Sequence, residues 1–162
     1  MKVSKKVVNY NDKLFKEILS LRRQVFCDES GEKTTYIKDA RDVTGIHTAF
    51  YINDIIVGCG SIYDNGNGEF EIFGVAVKEH YRHFGMGSEI IELLKAKGRE
   101  QGAKAFTADL YLSVLPFFEK NSMPKIGVPV TKNGKKYIKC TENLVFDGAE
   151  WVQFGGEYHA VI

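Results

Sequence analysis

A glycine-containing loop between an apolar strand pattern and a helix pattern is the part of this sequence best suited to bind an anion. Residues 82–87 read Arg-His-Phe-Gly-Met-Gly. The first main-chain N–H groups of a helix have no partner inside the helix, and glycine lets a ligand approach them closely. Together with the helix dipole, such groups bind phosphate or pyrophosphate. The loop therefore predicts a site for a phosphorylated ligand.

Three classes of phosphate site share this order of strand, glycine-rich turn and helix. A nucleoside-triphosphatase loop is excluded because neither Gly-Lys-Ser nor Gly-Lys-Thr follows Gly85 or Gly87. The dinucleotide-binding fingerprint is incomplete because Ile90 stands where its third glycine belongs. An acyl-CoA site is the class that remains.

Hydrophobic periodicity predicts the elements that position this loop. Ile90, Ile91 and Leu94 share one face of a helix predicted over residues 85–101, and Lys95 lies on its polar face. The strands on either side of this helix are expected to be parallel, as in a βαβ unit. Further predicted elements are strands over residues 7–10, 49–52, 55–63, 69–77, 105–112, 128–131 and 136–140, a helix over 13–27 capped by Asn11 or Asp12, a short helix or lid within 28–45, and a short helix after Ser113.

The loop and its strand resemble the acetyl-CoA-binding motif of the GNAT superfamily of N-acetyltransferases. In that motif Arg or Gln-x-x-Gly-x-Gly or Ala follows a Val-x-Val strand, matched here by Val75-x-Val77 and Arg82-x-x-Gly85-x-Gly87. The resemblance implies an α/β fold with a mixed, mostly antiparallel central sheet, a splayed parallel strand pair and flanking helices. It also implies a GNAT-type acyltransferase.

Two further segments extend the resemblance over roughly residues 5–145. Residues 117–123, Phe-Phe-Glu-Lys-Asn-Ser-Met, resemble the Phe-Tyr-Glu-Lys-x-Gly-Phe helix end of the family. Residues 21–29 resemble the first helix of a subgroup of small bacterial single-domain acetyltransferases. The Arg-x-x-Val-Phe pattern from Arg22 to Phe26 is also similar to acyl-homoserine-lactone synthases, so a different acyl-transfer reaction stays open.

Acetyl-CoA is the co-substrate that the resemblance implies. A strand that splays from its neighbour leaves main-chain groups for the pantetheine arm, and an N–H near Val75 can polarise the thioester carbonyl. No metal is expected, since His80 and His83 lack a third ligand nearby in the sequence. The predicted cofactor-binding residues are Val75, Ala76, Val77, Arg82, His83, Phe84, Gly85, Met86, Gly87, Ser88 and Phe117.

The candidate catalytic residues are Glu71 and Tyr111. Glu71 resembles the glutamate that histone-type members use as general base, and a partly buried carboxylate can deprotonate an amine. The alternative is a solvated acid at a strand start. Many members have a tyrosine at the position of Phe118, where its hydroxyl protonates the departing thiolate, and Tyr111 is the nearest replacement in sequence. Cys27 is expected to be a buried, inert thiol, which argues against a covalent acyl-enzyme.

These residues predict transfer of an acetyl group to a primary amine of a small molecule or peptide by direct attack. The acceptor is not specified by the segments that usually select it, residues 28–45 and 124–135. A non-catalytic acyl-CoA-binding or regulatory module is the second alternative, because Phe118 replaces the family tyrosine.

Composition restricts the class of protein further. The 162 residues fit one N-acetyltransferase domain over 1–162, with a core at about 5–145 and a C-terminal extension at 146–162 that could join a homodimer contact. The net charge of +1 gives no reason to expect binding to nucleic acid or membrane. Three separated cysteines and a start without a signal-peptide pattern predict a cytoplasmic protein.

Overall fold

The computed structural model describes residues 2–29 and 38–144. The strands are β1 (Ser4–Val8), β2 (Ile46–Ile52), β3 (Ile55–Gly66), β4 (Glu69–Val77), β5 (Ala105–Tyr111), β6 (Lys125–Lys132) and β7 (Lys135–Asn143). The α-helices are α1 (Phe15–Arg23), α2 (Arg41–Thr44), α3 (Met86–Glu100) and α4 (Leu115–Lys120). A π-helical turn (Gln24–Asp28) extends α1, and 3₁₀ turns (Glu79–Tyr81 and Leu112–Val114) precede α3 and α4.

The strands form one sheet of seven in the order β1-β2-β3-β4-β5-β7-β6. Only β4 and β5 pair in parallel, and every other neighbouring pair is antiparallel. Helix α3 joins the parallel strands, which is the crossover that such a connection requires. The predicted fold class, a mostly antiparallel mixed sheet with one parallel pair and flanking helices, is confirmed.

Two apolar clusters lie on opposite faces of the sheet. The larger one packs α3 and α4 against the sheet through residues such as Ile90, Leu94 and Phe106. The smaller one packs α1 against β2, β3 and β4 and includes Phe15 and Ile18. Residues 107, 109 and 111 of β5 alternate with buried residues of the larger cluster, so their side chains lie on the α1 face. That face of β5 borders the site described below.

Several boundaries differ from the sequence-based predictions. The first strand begins earlier than residue 7, because Ser4 to Val8 pair with Tyr51 to His47 of β2. The first α-helix begins at Phe15 and has no side-chain cap, while the Asp12 carboxylate accepts the Leu14 N–H at 2.8 Å in the preceding turn. The predicted C-terminal extension lies outside the described residues, as do residues 30–37 of the predicted lid segment.

The predicted polar face of α3 needs one correction. Lys95 is only 1% exposed, although its position on the helical wheel predicted contact with solvent. Its ammonium donates to the Asn121 carbonyl at 2.6 Å and lies 2.8 Å from the Glu142 carboxylate. Both partners come from later elements, so the local pattern carried no sign of them.

Candidate active site

The parallel strands β4 and β5 separate soon after they meet. Their ladder contains three residue pairs, which end at Glu71 and Thr107. Beyond this point β5 continues to pair with β7 as far as Tyr111, and β4 continues along β3 as far as Val77. Over 72–77, the edge of β4 that faces β5 therefore lacks ladder partners among the described residues. A ligand can add hydrogen bonds to such an edge.

A bulge in β4 redirects the strand within this separated part. Cys59 pairs with Ala76 and Ser61 pairs with Phe73, so β4 holds one more residue than β3 in this interval. In this interval Gly74 and Val75 of β4 lie opposite Gly60 of β3. Gly74 has a φ of +64°, a left-handed conformation that suits glycine. The predicted pantetheine-binding residues Val75, Ala76 and Val77 immediately follow Gly74. The side chains of Val75 and Val77 pack against the larger cluster, which leaves their main chain as the part able to meet a ligand.

The glycine loop leads into α3 with its main chain in an anion-binding arrangement. His83 and Gly85 both have left-handed φ angles, +69° and +86°. The first main-chain bond at the helix start runs from the Glu89 N–H to the Gly85 carbonyl at 3.1 Å. No side chain caps this end, so the N–H groups of residues 86–88 precede the helical ladder. A Cβ added at Gly85 would meet no described atom within 4 Å, so the loop offers open space beside these groups.

The other predicted loop residues differ in exposure. Phe84 is 75% exposed, whereas Met86 is buried against the larger cluster. The ring of Phe117 on α4 lies against Gly87, because a Cβ added there would be 2.9 Å from its Cζ. The structure therefore brings Gly87 and Phe117 into contact, and only glycine fits this contact without displacing the ring.

Arg82 is held across the end of β4. Its Nε donates to the Val77 carbonyl at 2.7 Å, and its Nη2 forms an ion pair with Glu29 at the end of the π-helical turn. These contacts fix where the loop leaves the strand. The phosphate contact expected of Arg82 stays a prediction, and it requires the guanidinium to share or release Glu29.

Glu71 is half-buried and paired with a cation. Its carboxylate, 19% exposed, accepts from Nη1 of Arg41 at 2.6 Å. Arg41 also donates to Asp39, at 2.7 Å from Nη2, and its guanidinium carbon lies 4.2 Å from the ring centroid of Phe73. The reading of Glu71 as a freely solvated acid at a strand start does not describe this geometry. The carboxylate must be released from Arg41 or shared with it before it can take a proton from an amine.

Tyr111 lies at the far end of β5 from Glu71. Thr107 is the pairing partner of Glu71. Tyr111 lies further along β5, at a distance of roughly 13 Å from Thr107 at about 3.3 Å per residue. The Tyr111 ring packs against Tyr137 with centroids 4.9 Å apart and the ring planes tilted by 34°. Interaction with the Tyr137 hydroxyl, then burial, raises the pKa of Tyr111 above its ordinary value. The structure thus separates the two predicted catalytic residues.

Phe118 occupies the position of the family tyrosine and is part of the core. It is 6% exposed and packs edge-on against Phe117 with ring centroids 5.4 Å apart. Just after α4, Ser122 stands where the family motif has a glycine. Ser122 has a left-handed φ of +67°. The departure at Phe118 therefore removes a hydroxyl without disturbing the backbone that follows it.

The three thiols lie inside the fold. Cys27, Cys59 and Cys140 are buried and form no disulfide with one another. Burial raises the pKa of Cys59 to about 12 and that of Cys140 to about 11, so both are protonated at neutral pH. Within residues 2–29 and 38–144, no three His, Cys, Asp or Glu side chains are grouped to hold a metal ion. No helix in the same ranges is long and apolar enough to cross a membrane.

Sequence reasoning missed two charged residues at this site. Arg41 is 30 residues from Glu71 in the chain, and no local pattern linked them. Asp109 lies between Thr107 and Tyr111 on the same face of β5, and alternation along the strand could have found it. Its carboxylate is 3.8 Å from Lys132, with both groups largely exposed, so it is weakly held.

Comparison with solved structures confirms the fold. Escherichia coli ElaA superposes with a TM-score of 0.78 at 17% identity, over 88% of this chain and 100% of that one. An acyl-CoA N-acyltransferase from Pseudomonas aeruginosa gives 0.76 at 15%, over 87% and 99%. A GNAT family acetyltransferase from Elizabethkingia anophelis, solved with acetyl-CoA bound, gives 0.68 at 16%, over 88% and 98%.

The splayed parallel strand pair and the uncapped, glycine-rich helix start form a site suited to an extended, phosphorylated ligand. The profile of the acetyltransferase (GNAT) family matches residues 12–122, which include α1, strands β2 to β5, the loop and α4. The chain belongs to the GNAT acetyltransferase family and is an acyltransferase.

Proposed function

We propose that this enzyme transfers the acetyl group of acetyl-CoA to a primary amine of a small molecule or peptide by direct attack. The observation that carries this proposal is the separation of β4 from β5 beside an uncapped helix start. The acetyl-CoA bound to the Elizabethkingia anophelis relative supports the choice of co-substrate. The buried, protonated thiols Cys59 and Cys140 support direct attack over a covalent acyl-enzyme.

The chain's own groups would act mainly by positioning. N–H groups of residues 86–88 and the loop before them bind the pyrophosphate, while the unpaired edge of β4 after Gly74 binds the pantetheine arm as an added strand. A main-chain N–H near Val75 then polarises the thioester carbonyl. Because a thioester is already activated, holding the amine at attack distance supplies much of the remaining acceleration.

Proton transfer is assigned to Glu71 and Tyr111 within this proposal. Glu71 takes the proton from the acceptor ammonium, directly or through water, when Arg41 turns toward Asp39 alone. Tyr111 gives a proton to the departing thiolate. Because the structure separates the two residues, at least one of these transfers runs through water in this proposal.

The remaining properties are also part of the proposal. The acceptor is an amine, and no metal takes part. Neither nucleic acid nor membrane is a partner, because positive and negative charges nearly balance over the chain. A cytoplasmic location is supported by the three cysteines, which form no disulfide with one another. A homodimer contact through residues 146–162 is proposed from the sequence alone.

A different acyl group is the second candidate, favoured by the Arg22 to Phe26 pattern. Thiol release measured with acetyl-CoA and longer acyl-CoAs, across a panel of amines, amino acids, polyamines, aminoglycosides and peptides, separates the two. A preference for a long acyl chain would replace acetyl transfer as the reaction. The non-catalytic alternative does not fit membership of an acyltransferase family.

The acetyl-CoA site is tested by placing a negative charge at the third residue of α3. Ser88→Asp should lower acetyl-CoA affinity by about tenfold or more, because the carboxylate repels the pyrophosphate. The same charge interacts well with the helix dipole, so the free energy of unfolding should stay equal or rise by about 0.3–1 kcal/mol. Calorimetric titration and urea unfolding measure the two quantities.

The matched control is Ser20→Asp, which places the same charge on an exposed position of α1. Wild-type affinity is expected there. Unchanged acetyl-CoA affinity in a folded Ser88→Asp variant would refute the assignment of this loop. Gly87 is a poorer position for such a charge, because a side chain there would displace the Phe117 ring.

A further inference from the structure

A buried pair of opposite charges lies beneath the bulge of β4. Arg22 on α1 is 2% exposed, and Asp42 on α2 is fully buried. The guanidinium donates two bonds of 2.9 Å to the carboxylate and one of 2.8 Å to the Ser61 hydroxyl on β3. Its carbon lies 5.7 Å from the ring centroid of Phe15 and 5.6 Å from that of Phe73. Arg22 therefore connects α1, α2, β3 and β4 at one point.

The same guanidinium lies directly against Gly74. A Cβ added at Gly74 would be 3.0 Å from Nε of Arg22 and 3.2 Å from its Nη2. From β3, the Cys59 thiol donates to the Gly74 carbonyl at 3.6 Å. The left-handed residue that turns β4 is thus held by a planar cation on one side and by a thiol on the other.

Stability alone does not account for a charged pair at this place. Removing two charges from water is costly, and replacing a buried ion pair by apolar groups of similar size is often neutral or stabilising. A bidentate guanidinium–carboxylate pair instead restricts the geometry of whatever it contacts, because both groups are planar and their bonds are directional. Here the contacted group is the bulge that precedes Val75.

We propose that Arg22 is a positioning residue for acetyl-CoA binding, an inference that rests on the proposed function above. Its guanidinium holds Gly74 in the conformation that turns β4 away from β5 and presents the following main chain to the pantetheine arm. Through Asp42 it also holds α2, whose Arg41 contacts Glu71. Arg22 acts through the backbone of β4 and through α2, and itself touches neither substrate.

The first test is Arg22→Lys, which keeps the charge and loses the bidentate pair and the planar contact with Gly74. Acetyl-CoA affinity should fall by about tenfold or more, measured by calorimetry at a temperature where circular dichroism shows a fully folded chain. The matched control is Tyr51→Phe, which removes a 2.6 Å bond between β2 and Glu17 of α1 and no contact with Gly74. It should keep wild-type affinity.

A double-mutant cycle separates positioning from general loosening of α1. Gly74→Ala should weaken acetyl-CoA binding in the wild type, and it should weaken it much less when Arg22 is already Lys, because both changes disturb one contact. The inference would be overturned by any of three results: additive effects of Gly74→Ala and Arg22→Lys on acetyl-CoA affinity, wild-type affinity in Arg22→Lys, or an equal loss of affinity in Tyr51→Phe. If Arg22→Lys does not fold, the pair Arg22→Met with Asp42→Asn removes both charges together and enters the same cycle.

Failure of this inference is distinguishable from failure of the proposed function. A wild-type chain that binds acetyl-CoA, with an Arg22→Lys variant that binds it equally well, rejects only the role of Arg22. A wild-type chain that does not bind acetyl-CoA rejects the proposed function and this inference with it.

Discussion

The Glu71 carboxylate forms an ion pair with Arg41, and the proposed function gives the same carboxylate a second role as general base. The ion pair of 2.6 Å orients the Glu71 carboxylate and keeps it beside the last residue pair between β4 and β5. The same pair must open or be shared when a protonated amine arrives, since the amine competes with Arg41 for the carboxylate. In the proposed reaction, an acceptor amine would replace Arg41 as the cation beside the Glu71 carboxylate.

Replacement of Glu71 by glutamine tests this role. We expect Glu71→Gln to lower kcat/KM by about 10²-fold or more at neutral pH, because the amide cannot accept the proton. Acetyl-CoA affinity should hardly change, since main-chain groups make those contacts. Steady-state thiol release and calorimetry measure the two effects.

Glu69→Gln is the control for this prediction, because Glu69 lies two residues earlier on the same face and is exposed. A wild-type rate in Glu71→Gln would show that the base is elsewhere. Asp109→Asn would then be the next variant, since Asp109 lies on the same side of the sheet and is weakly paired.

Among the elements, α3 also connects α4 to β7 through one buried side chain. Lys95 is in its third turn and reaches both the end of α4, through the Asn121 carbonyl, and β7, through Glu142. Asn121 in turn donates from Nδ2 to the Phe117 carbonyl at 2.8 Å. The buried ammonium thus connects the helix that starts at the glycine loop to the helix that carries Phe117.

Removal of this cation should destabilise the fold strongly. Lys95→Met is expected to cost about 2–4 kcal/mol of unfolding free energy, because the partly buried Glu142 carboxylate loses its partner. Glu142→Gln in the same chain should recover a large part of that loss. Urea unfolding of the two single variants and the double variant gives the coupling between them. Equal costs for the single Lys95→Met and the double variant would contradict this account.

On the scale of the whole molecule, the two faces of the sheet are filled by different chemistry. The α3 face is an apolar cluster bordered by the buried Lys95 ammonium, whereas the α1 face contains Arg22, Asp42 and His47 in contact with one another. The His47 ring bonds to the Ser61 hydroxyl at 2.6 Å and to the Asp42 carbonyl at 3.0 Å. Burial, with a smaller effect of Arg22, lowers the pKa of His47, and Asp42 and Asp39 oppose this only in part.

This lowered pKa predicts that stability depends on pH on the acidic side. The folded chain keeps His47 neutral, while the unfolded chain takes up a proton as the pH falls below about 6.5. The unfolded state then binds more protons, so the free energy of unfolding should decrease as the pH falls through this range. Urea unfolding at several pH values between 7.5 and 5.5 measures the slope.

His47→Gln should flatten that slope, although its lost hydrogen bonds lower stability at every pH. His80→Gln is the control, because His80 is exposed and bonds to none of the buried groups described here. An unchanged slope in His47→Gln would show that other groups cause the acidic loss.

Features that depend on residues close together in the chain could be predicted from the sequence alone. Strand β4 has the predicted bounds, α3 follows the glycine loop, and the turn at Asn133 and Gly134 has the left-handed φ angles, +51° and +76°, that its residues predict. Periodicity and turn chemistry are local properties, so they can be read without knowing the fold.

Three features could be seen only in the folded structure: the point where β4 separates from β5, the pairing of each carboxylate with its cation, and the burial of Lys95. These outcomes depend on a bulge at Gly74 and on contacts such as that between Arg41 and Glu71, which are 30 residues apart. A pairing between distant residues depends on register and on the packing of several elements at once. No periodicity along one segment contains that information.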